Sequence, residues 1–388
     1  MSPVSRSRKP KKKPAAKKRR QQDSPLAQVV AQAAGLSSVL TARLWASGLL
    51  GTLRWAAWQS DRGEPNDIIR MAVEDLMITA ERIGGAVGLA AARALSLVGD
   101  SDQRGEFHEL AAELAFADAP EPAWFDAYET PELVEAYSIT DTTGDFEVLA
   151  LDYRDHMVGV VIDHVGVLHI GEVKVKEPGG DGAGFATELA EDIWPDPTPD
   201  PVLITGVQVL DRLMGPLDQL LLDGPLAHAE VFEDDDARNA TMGVALLEAL
   251  IEDLQDTLPE PSEDDEPDPA ERFLAGELPD PELARAWALL VTDNALANGR
   301  VAESFSYRFA HHVLLAQVVS AYRIDDADLP RLADVVRAWA GFVGIDWDDQ
   351  LPGLLDDFAA AYRGHDQPAD RVIDFRSYRQ ALADAFDQ

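Results

Sequence analysis

The 388-residue sequence predicts an α+β fold that is predominantly helical: a helical N-terminal part, a small antiparallel β-sheet with helices in the middle, and a helical C-terminal bundle. Three observations carry that expectation. Apolar residues recur at helical spacing through most of 24–125 and again beyond 281. Residues 144–176 switch to the two-residue alternation of β-branched strands. An acidic, proline-rich run at 259–269 separates the last helices from the rest. At 46% hydrophobic residues the chain has ample material for buried cores, which excludes wholesale disorder.

Residues 1–23 read as a disordered basic arm, because Pro3, Pro10 and Pro14 and unrelieved like charge oppose packing. The spacing then predicts a helix from Pro25 to about Gln59. With Arg43 at angle zero, Gln32, Ser47 and Arg54 lie within about 40° of it at about 100° per residue. Leu40, Leu44, Leu49 and Leu53 lie mainly on the other side. That polar stripe, with Trp45, Trp55 and Trp58, resembles a membrane-surface anchor. The reading we favour is a helix packed in an N-terminal bundle with its tryptophans in the core. A second long helix follows, capped by Asn66 or Asp67 and carrying Ile69, Val73, Leu76 and Ala80 at helical spacing. The glycines of 84–88 either kink it or permit close helix contact. A third helix fits Arg104–Ala117 and stops before Pro120 and Pro122. These elements make 24–125 a helical segment.

Residues 126–258 are expected to form an α+β domain. Phe146–Tyr153, Met157–Asp163 and Val167–Val175 read as three antiparallel strands, turning at Gly144-Asp145 and Arg154–His156. Helices are predicted at 185–192, 205–222 and 240–257. The segment 259–281 reads as an acidic, proline-rich linker, since six acids and four prolines fall within Pro259–Pro269. In the C-terminal domain, 282–388, helices are expected at 282–296, 301–322, 328–343, 350–362 and 374–386. Asp280 and Asp328 sit where N-caps belong, and Gly364 where a helix stops.

Charge is split along the chain. The formal net charge is −37, from 33 basic and 70 acidic residues. Ten of the basic residues fall in the first twenty positions with no acid among them. Setting those ten aside leaves 23 against 70, so the remainder carries −47. Such a body repels nucleic acid and anionic lipid. Contact with nucleic acid or another anionic surface therefore falls to the arm, through Lys11, Lys12, Lys13, Lys17, Lys18, Arg19 and Arg20. The absence of cysteine excludes disulfides, thiolate zinc sites and a cysteine nucleophile. No secretory signal is read at the N-terminus. Arg43, Arg54, Arg70, Arg82 and Arg93 interrupt each run that approaches the roughly 20 apolar residues of a membrane span. A cytoplasmic protein is expected.

The most suggestive chemistry lies in Gly159–Gly184, which holds His164, His169 and the two lysines outside the arm, Lys174 and Lys176. Asp163 followed by Glu172-Val173-Lys174 imitates the acid and E-x-K of a nuclease core. There two carboxylates hold magnesium and a lysine orients the attacking water. Asp163, His164, Glu172 and Lys174 are therefore the candidate catalytic residues. The competing reading is an ordinary amphipathic hairpin. A turn at Val165-Gly166 would pair Ile162 with His169 and put Asp163 and His169 on opposite faces, a poor geometry for a shared metal. Gly179–Gly184 has the G-x-x-x-x-G spacing of a phosphate loop, but Phe185-Ala186 replaces its Lys-Ser/Thr and Asp181 repels phosphate. Glu303, Tyr307 and His311 align at i, i+4, i+8 and read as a hydrogen-bond ladder or solvated face. H-E-x-x-H and G-x-S-x-G are absent. No metal site and no cofactor motif are read.

Pro122-Ala123-Trp124, the strand pair bearing Asp163-His164, and Leu329–Phe342 follow one another in an order that resembles an uncharacterised family of bacterial proteins. The resemblance spans about 100–345. In that family a short helical part leads through a Pro-x-Trp segment to strands carrying Asp-His, and a helical C-terminus follows. The family reads Asn-Leu-Gly-Gly after Asp-His, where this chain has Val165-Gly166-Val167. The resemblance implies no activity and assigns no catalytic residue, though it adds weight to Asp163-His164 as a shared turn or site. The function predicted is that of a non-enzymatic interaction or scaffold protein, its acidic body binding a protein partner and its basic arm tethering it. The alternatives are a metal-dependent nuclease or hydrolase centred on Asp163, Glu172 and Lys174, and association with nucleic acid or a membrane surface through the arm.

Overall fold

The computed structural model describes residues 24–60, 63–164, 169–178, 180–194, 198–223, 234–258, 269–297, 305–319, 322–344, 350–364 and 373–375. The basic arm with Lys11–Arg20, the turn at 165–168, the acidic run 259–268, Glu303 and everything from 376 onward lie outside them, and so does most of the helix expected at 374–386. The fold is predominantly helical α+β, with helical N- and C-terminal regions and a small antiparallel sheet between them in chain order. It groups into two compact units. One runs to Glu129 and takes in Ala245–Ala249; the other comprises Thr130–Val244 and the chain from Leu250. No helix among the described residues is long and apolar enough to cross a membrane.

The first unit is built on helices α1 (Pro25–Ala31), α2 (Val39–Trp58), α3 (Pro65–Ile83), α4 (Gly85–Leu95) and α5 (Ser101–Phe116). The single helix expected over 25–59 is interrupted. Ser24 caps α1, a 3₁₀ turn follows at Gln32–Gly35, and Ser38 and Thr41 form a reciprocal capping box that starts α2 afresh. Helix α3 begins at Pro65, whose fixed φ suits the first helical position, so Asn66 and Asp67 lie inside the first turn rather than capping it. Gly84 adopts φ +61° and separates α3 from α4. A Cβ on Gly88 would lie 2.4 Å from the Ala80 carbonyl oxygen, so both expected roles of the glycine run are realised.

The polar stripe of α2 faces inward. Arg43, Ser47 and Arg54 are buried together with Ala42, Ala46, Leu50, Gly51 and Ala57, while Trp45, Trp55 and Trp58 are half-buried. Small residues let neighbouring backbones approach, and the long arginine side chains find partners there. Arg54 Nη2 lies 2.6 Å from Glu248 Oε2, both side chains at least 92% buried. Ser47 Oγ accepts from the Leu246 amide at 3.2 Å. Arg93 is likewise buried, donates to both oxygens of Glu121 at 3.1 and 2.6 Å, and lies 4.4 Å from the Phe125 ring centroid. Such pairs cost desolvation on both sides and hold only with close geometry.

In the second unit, β1 (Leu133–Thr140), β2 (Phe146–Tyr153), β3 (His156–Asp163), β4 (His169–Lys176) and β5 (Val202–Ile204) form one antiparallel sheet in the order β4-β3-β2-β1-β5. Two of these strands were not expected. A register shift between Leu133 and Glu135 spoils the alternation of β1, and β5 has only three residues. Helix α6 (Gly182–Ile193) packs Phe185, Ala186 and Leu189 on one face, against Val148, Ala150, Met157 and Val161. Gly159 makes that approach possible: a Cβ there would lie 2.2 Å from Leu189 Cδ1 and 3.0 Å from the Phe185 ring. Helices α7 (Gly206–Asp223) and α8 (Asp234–Thr257) follow, and a Cβ on Gly243 of α8 would meet Val173 of β4 at 2.4 Å. Every residue of β3 is buried, as for a strand covered on both faces.

The chain then continues through α9 (Pro269–Leu274), α10 (Pro281–Ala297), α11 (Tyr307–His311) with a π-helical turn at His312–Val318, α12 (Leu329–Phe342) and α13 (Leu351–Gly364). Short strands β6 (Tyr322–Arg323) and β7 (Ile373–Asp374) pair in parallel. Within the expected linker 259–281, α9 is an ordered helix that buries Ala270 and Phe273, the latter edge-on to Trp339 at 4.9 Å. Asp280 caps α10 through Glu282 and Leu283 amides at 3.2 Å, whereas Asp328 makes no side-chain cap. Trp287, Phe309, Trp339 and Phe358 centre this core.

Candidate functional site

Pleat alternation decides what the expected site residues can do. Asp163 ends β3 and pairs with Phe146 and His169, while Ile162 pairs with Ile170. The register is thus one residue away from the hairpin expected, and it is Asp163, not Ile162, whose backbone pairs with that of His169. An extra residue in β4 between the Val161–Glu172 and Ile162–Ile170 pairs absorbs the difference. Asp163 shares the parity of Gly159 and Val161, the face covered by α6. His164 has the opposite parity and turns its Nε2 to within 3.4 Å of Glu147 Oε2. Both are buried, so the adjacent pair is divided between the two faces.

Glu172 and Lys174 pair in register with Val161 and Gly159, on the α6 face. Lys174 Nζ lies 3.4 Å from Glu172 and 3.1 Å from Asp192, and these carboxylates raise its pKa against the lowering effect of burial. Lys176 reaches Glu188 at 2.8 Å. The E-x-K acid and base thus neutralise each other and clasp α6. Among the described residues no three His, Asp or Glu side chains are grouped so as to hold a metal ion. The glycine loop ends in a helix whose N-terminus is occupied by its own carboxylate, Asp181 Oδ1 accepting from the Ala183 amide at 3.1 Å. Helix α11 starts at Tyr307 behind an Ser306 N-cap, and His311 and His312 are exposed.

The sheet end instead assembles, around the expected His164, residues that local pattern did not single out: Ser138, Glu147 and Arg212. Glu147 is 4% exposed; its Oε1 accepts from Ser138 Oγ at 2.6 Å and lies 3.0 Å from Arg212 Nε, while Oε2 faces His164. Burial pushes its pKa up, but the hydrogen bond and charge of His164, the charge of Arg212 and the Ser138 hydroxyl outweigh it and hold the carboxyl below its usual range. Asp145, two residues earlier, accepts from the Arg308 amide at 3.0 Å and lies 3.4 Å from Arg308 Nε. Burial raises its pKa, only partly offset by the Arg308 amide and the Ser306 hydroxyl. Its carbonyl accepts from the His164 amide at 2.7 Å, which links the two carboxylates. The available signals were an acid inside an otherwise apolar strand, Phe146-Glu147-Val148-Leu149, and Arg212 as the single cation of 206–223.

At the opposite end of the same strands, His156 is fully buried, stacked on Tyr153 at 5.2 Å, with Nδ1 2.6 Å from Asp155. Tyr153 also floors a groove of about 560 Å³ bounded by the start of β1, the edge strand β5, and Leu254 and Leu258 at the end of α8. Helix α7 starts beside it with a capping box: Thr205 Oγ1 accepts from the Gln208 backbone amide at 3.3 Å and Gln208 Oε1 from the Thr205 backbone amide at 2.9 Å. Comparison with protein-family models, curated proteins and solved structures finds no match to this chain. Two places stand out in the sheet unit: a buried, ion-paired polar cluster at one end of the sheet, in which Arg212 Nη1 has no hydrogen-bond partner among the described residues, and an apolar groove at the other.

Proposed function

We propose that the protein is a non-enzymatic interaction or scaffold protein, with an acidic body that binds a protein partner and a basic N-terminal arm that tethers it. One observation carries the reading: the polar side chains that would have to do chemistry are engaged with one another. Glu147 is held by Ser138, His164 and Arg212, and Lys174 by Glu172 and Asp192. A general acid or base needs a free approach to substrate, and an electrostatic catalyst needs unspent charge. The arm supplies the second half of the proposal. Its ten cations in twenty residues also favour contact with nucleic acid or an anionic surface.

The test is capture from a cross-linked lysate with the full chain and with a variant lacking residues 1–23. One protein partner should be recovered in near-stoichiometric yield by both, and duplex DNA by the full chain alone, with a log–log salt slope no steeper than about −9. A melting shift with Mg²⁺, Mn²⁺ or Zn²⁺ that disappears in Asp163→Ala, together with hydrolytic turnover, would overturn the proposal in favour of a metal-dependent nuclease or hydrolase.

A further inference from the structure

We infer that the outer face of α2 is where the protein rests on an anionic lipid bilayer, its tryptophans seated at headgroup level and the basic arm paired with lipid phosphates around them. The inference rests on the reading that the arm is a tether, and it names the surface tethered to.

The face is made by the burial of the helix's own charges. Between Ser24 and Ser60 the only charged residues are Arg43 and Arg54, in a chain that is 27% charged. Arg54 is paired with the buried Glu248, and Arg43 is 1% exposed with its guanidinium 5.7 Å from the Tyr128 ring centroid. What α2 leaves to solvent is therefore uncharged along its whole length. Leu40, Leu44, Trp55 and Trp58 point within about 40° of one direction at about 100° per residue, with Trp45 at the margin. Leu44 is 41% exposed and the other four are half-buried. Large rings kept at the surface of a helix already packed on its other side suit a water–lipid interface, where tryptophan is enriched at headgroup level.

Area and charge select the occupant. A 20-residue helix is about 30 Å long and about 10 Å across, so the face offers on the order of 300 Å². A stable protein interface takes about 800 Å² from each side, so a second copy or another folded protein would have to spread onto the surfaces around α2. The adjoining α3 exposes Asp67, Glu74, Asp75 and Glu81 against Arg70 and Arg82, and two copies of a chain of net charge −37 repel. Duplex nucleic acid offers phosphate but no apolar layer for tryptophan to enter. A bilayer supplies both. Its phosphates complement the ten cations of the first twenty residues, which end just before α1. Twenty residues span at most about 70 Å, against a radius of gyration of about 14 Å for a unit of this size, so those cations can reach the plane of the α2 face. Each one beside an anionic membrane is worth about fivefold in affinity, which offsets a small apolar footprint and the acids of α3.

The test mixes the full chain with vesicles of phosphatidylcholine alone, or of phosphatidylcholine and phosphatidylglycerol in equal parts, and reads binding by co-sedimentation. Tryptophan quenching by bromine-substituted acyl chains reads insertion. The full chain should bind the anionic vesicles at least tenfold more tightly than the neutral ones and lose that preference near 1 M salt, where the Debye length is about 3 Å. Deleting residues 1–23 should weaken binding at least tenfold. Leu44→Ser leaves the net charge unchanged and should weaken it about threefold or more. Brominated lipid should quench the full chain, and quench Trp55→Phe less. Failure to bind the anionic vesicles, binding that Leu44→Ser leaves undiminished, or absence of bromine quenching in the unaltered chain each overturns the inference. So does arm-dependent binding of duplex DNA with none to vesicles, which would make the arm a nucleic-acid contact. A dimer in sedimentation that Leu44→Ser dissociates assigns the face to a second copy, and loss of the captured lysate protein in Leu44→Ser assigns it to that protein; both overturn the bilayer. If a protein partner is captured but vesicles are not bound, the bilayer fails while the interaction reading stands; if vesicles are bound and no partner is captured, the interaction reading fails and the bilayer stands.

Discussion

Replacing Arg212 by methionine tests whether the sheet-end cluster is held by charge. The substitution keeps most of the apolar stem and removes the guanidinium that lies 3.0 Å from Glu147 Oε1. Breaking a fully buried ion pair by removing one partner typically costs about 3–5 kcal/mol. Here the carboxylate is 94% buried but Arg212 is 31% exposed, so solvent already screens part of the attraction and about 2–3 kcal/mol is expected. The remaining partners, Ser138 and His164, keep the carboxylate from being stranded. Glu147→Leu should cost a comparable amount, because it deprives both Ser138 and Arg212 of an acceptor. The double variant should cost less than the sum by about 1 kcal/mol or more, since each change removes the reason for the other group. Urea unfolding at pH 7 followed by circular dichroism reads all four proteins, with the denaturant slope checked for constancy because the chain has two compact units. A cost below about 0.5 kcal/mol for Arg212→Met, or strict additivity, would show that the arginine decorates the cluster without holding it.

Two further outcomes are expected. Glu147 is held below its ordinary 4.5, so its contribution is complete above that value and drains as pH falls through the lowered folded pKa; Glu147→Gln should therefore flatten the acid limb of stability against pH. Asp145 is raised above its ordinary 3.8, so the folded state binds the extra proton between the two values and its penalty is relieved as pH falls; Asp145→Asn should steepen the same limb, and movement of both variants in one direction would contradict the assignment. Gly159→Ala should destabilise by about 1–3 kcal/mol because its Cβ would lie 2.2 Å from Leu189 Cδ1, with part of the loss recovered on adding Leu189→Ala, and a neutral Gly159→Ala in thermal melts would show that α6 lies farther from the sheet.

What local pattern could and could not disclose follows from the range of the interactions. Period and turn residues sufficed for β2, β3, α10 and α12, whose apolar sets are continuous or cleanly spaced. They failed at β1, where a register shift breaks the alternation, and at β5, too short to show a period. They also failed on orientation. Helical spacing separated the two sides of α2 but not inside from outside, because the decisive partner, Glu248, arrives almost two hundred residues later. The sheet-end cluster is the same problem in a harder form: Ser138, Glu147 and Arg212 come from β1, β2 and α7 and His164 from just past β3, and no short window of sequence contains them together.

These long-range pairs bear on the surface the protein presents. Outside the arm there are only 23 cations to set against 70 acids. Several of those cations are spent in the interior or close to it: Arg43, Arg54 and Arg93 are buried and Arg212 is largely so. Of the carboxylates they neutralise, Glu248 and Glu147 are buried as well, whereas Glu121 stays exposed. The pairs cancel in charge, but they remove cations from a pool one third the size of the acid pool, so the ratio of acid to base on the remaining surface rises. An exposed acidic surface opposes polyanions over about a Debye length and draws cationic segments toward any place where apolar contact can hold them.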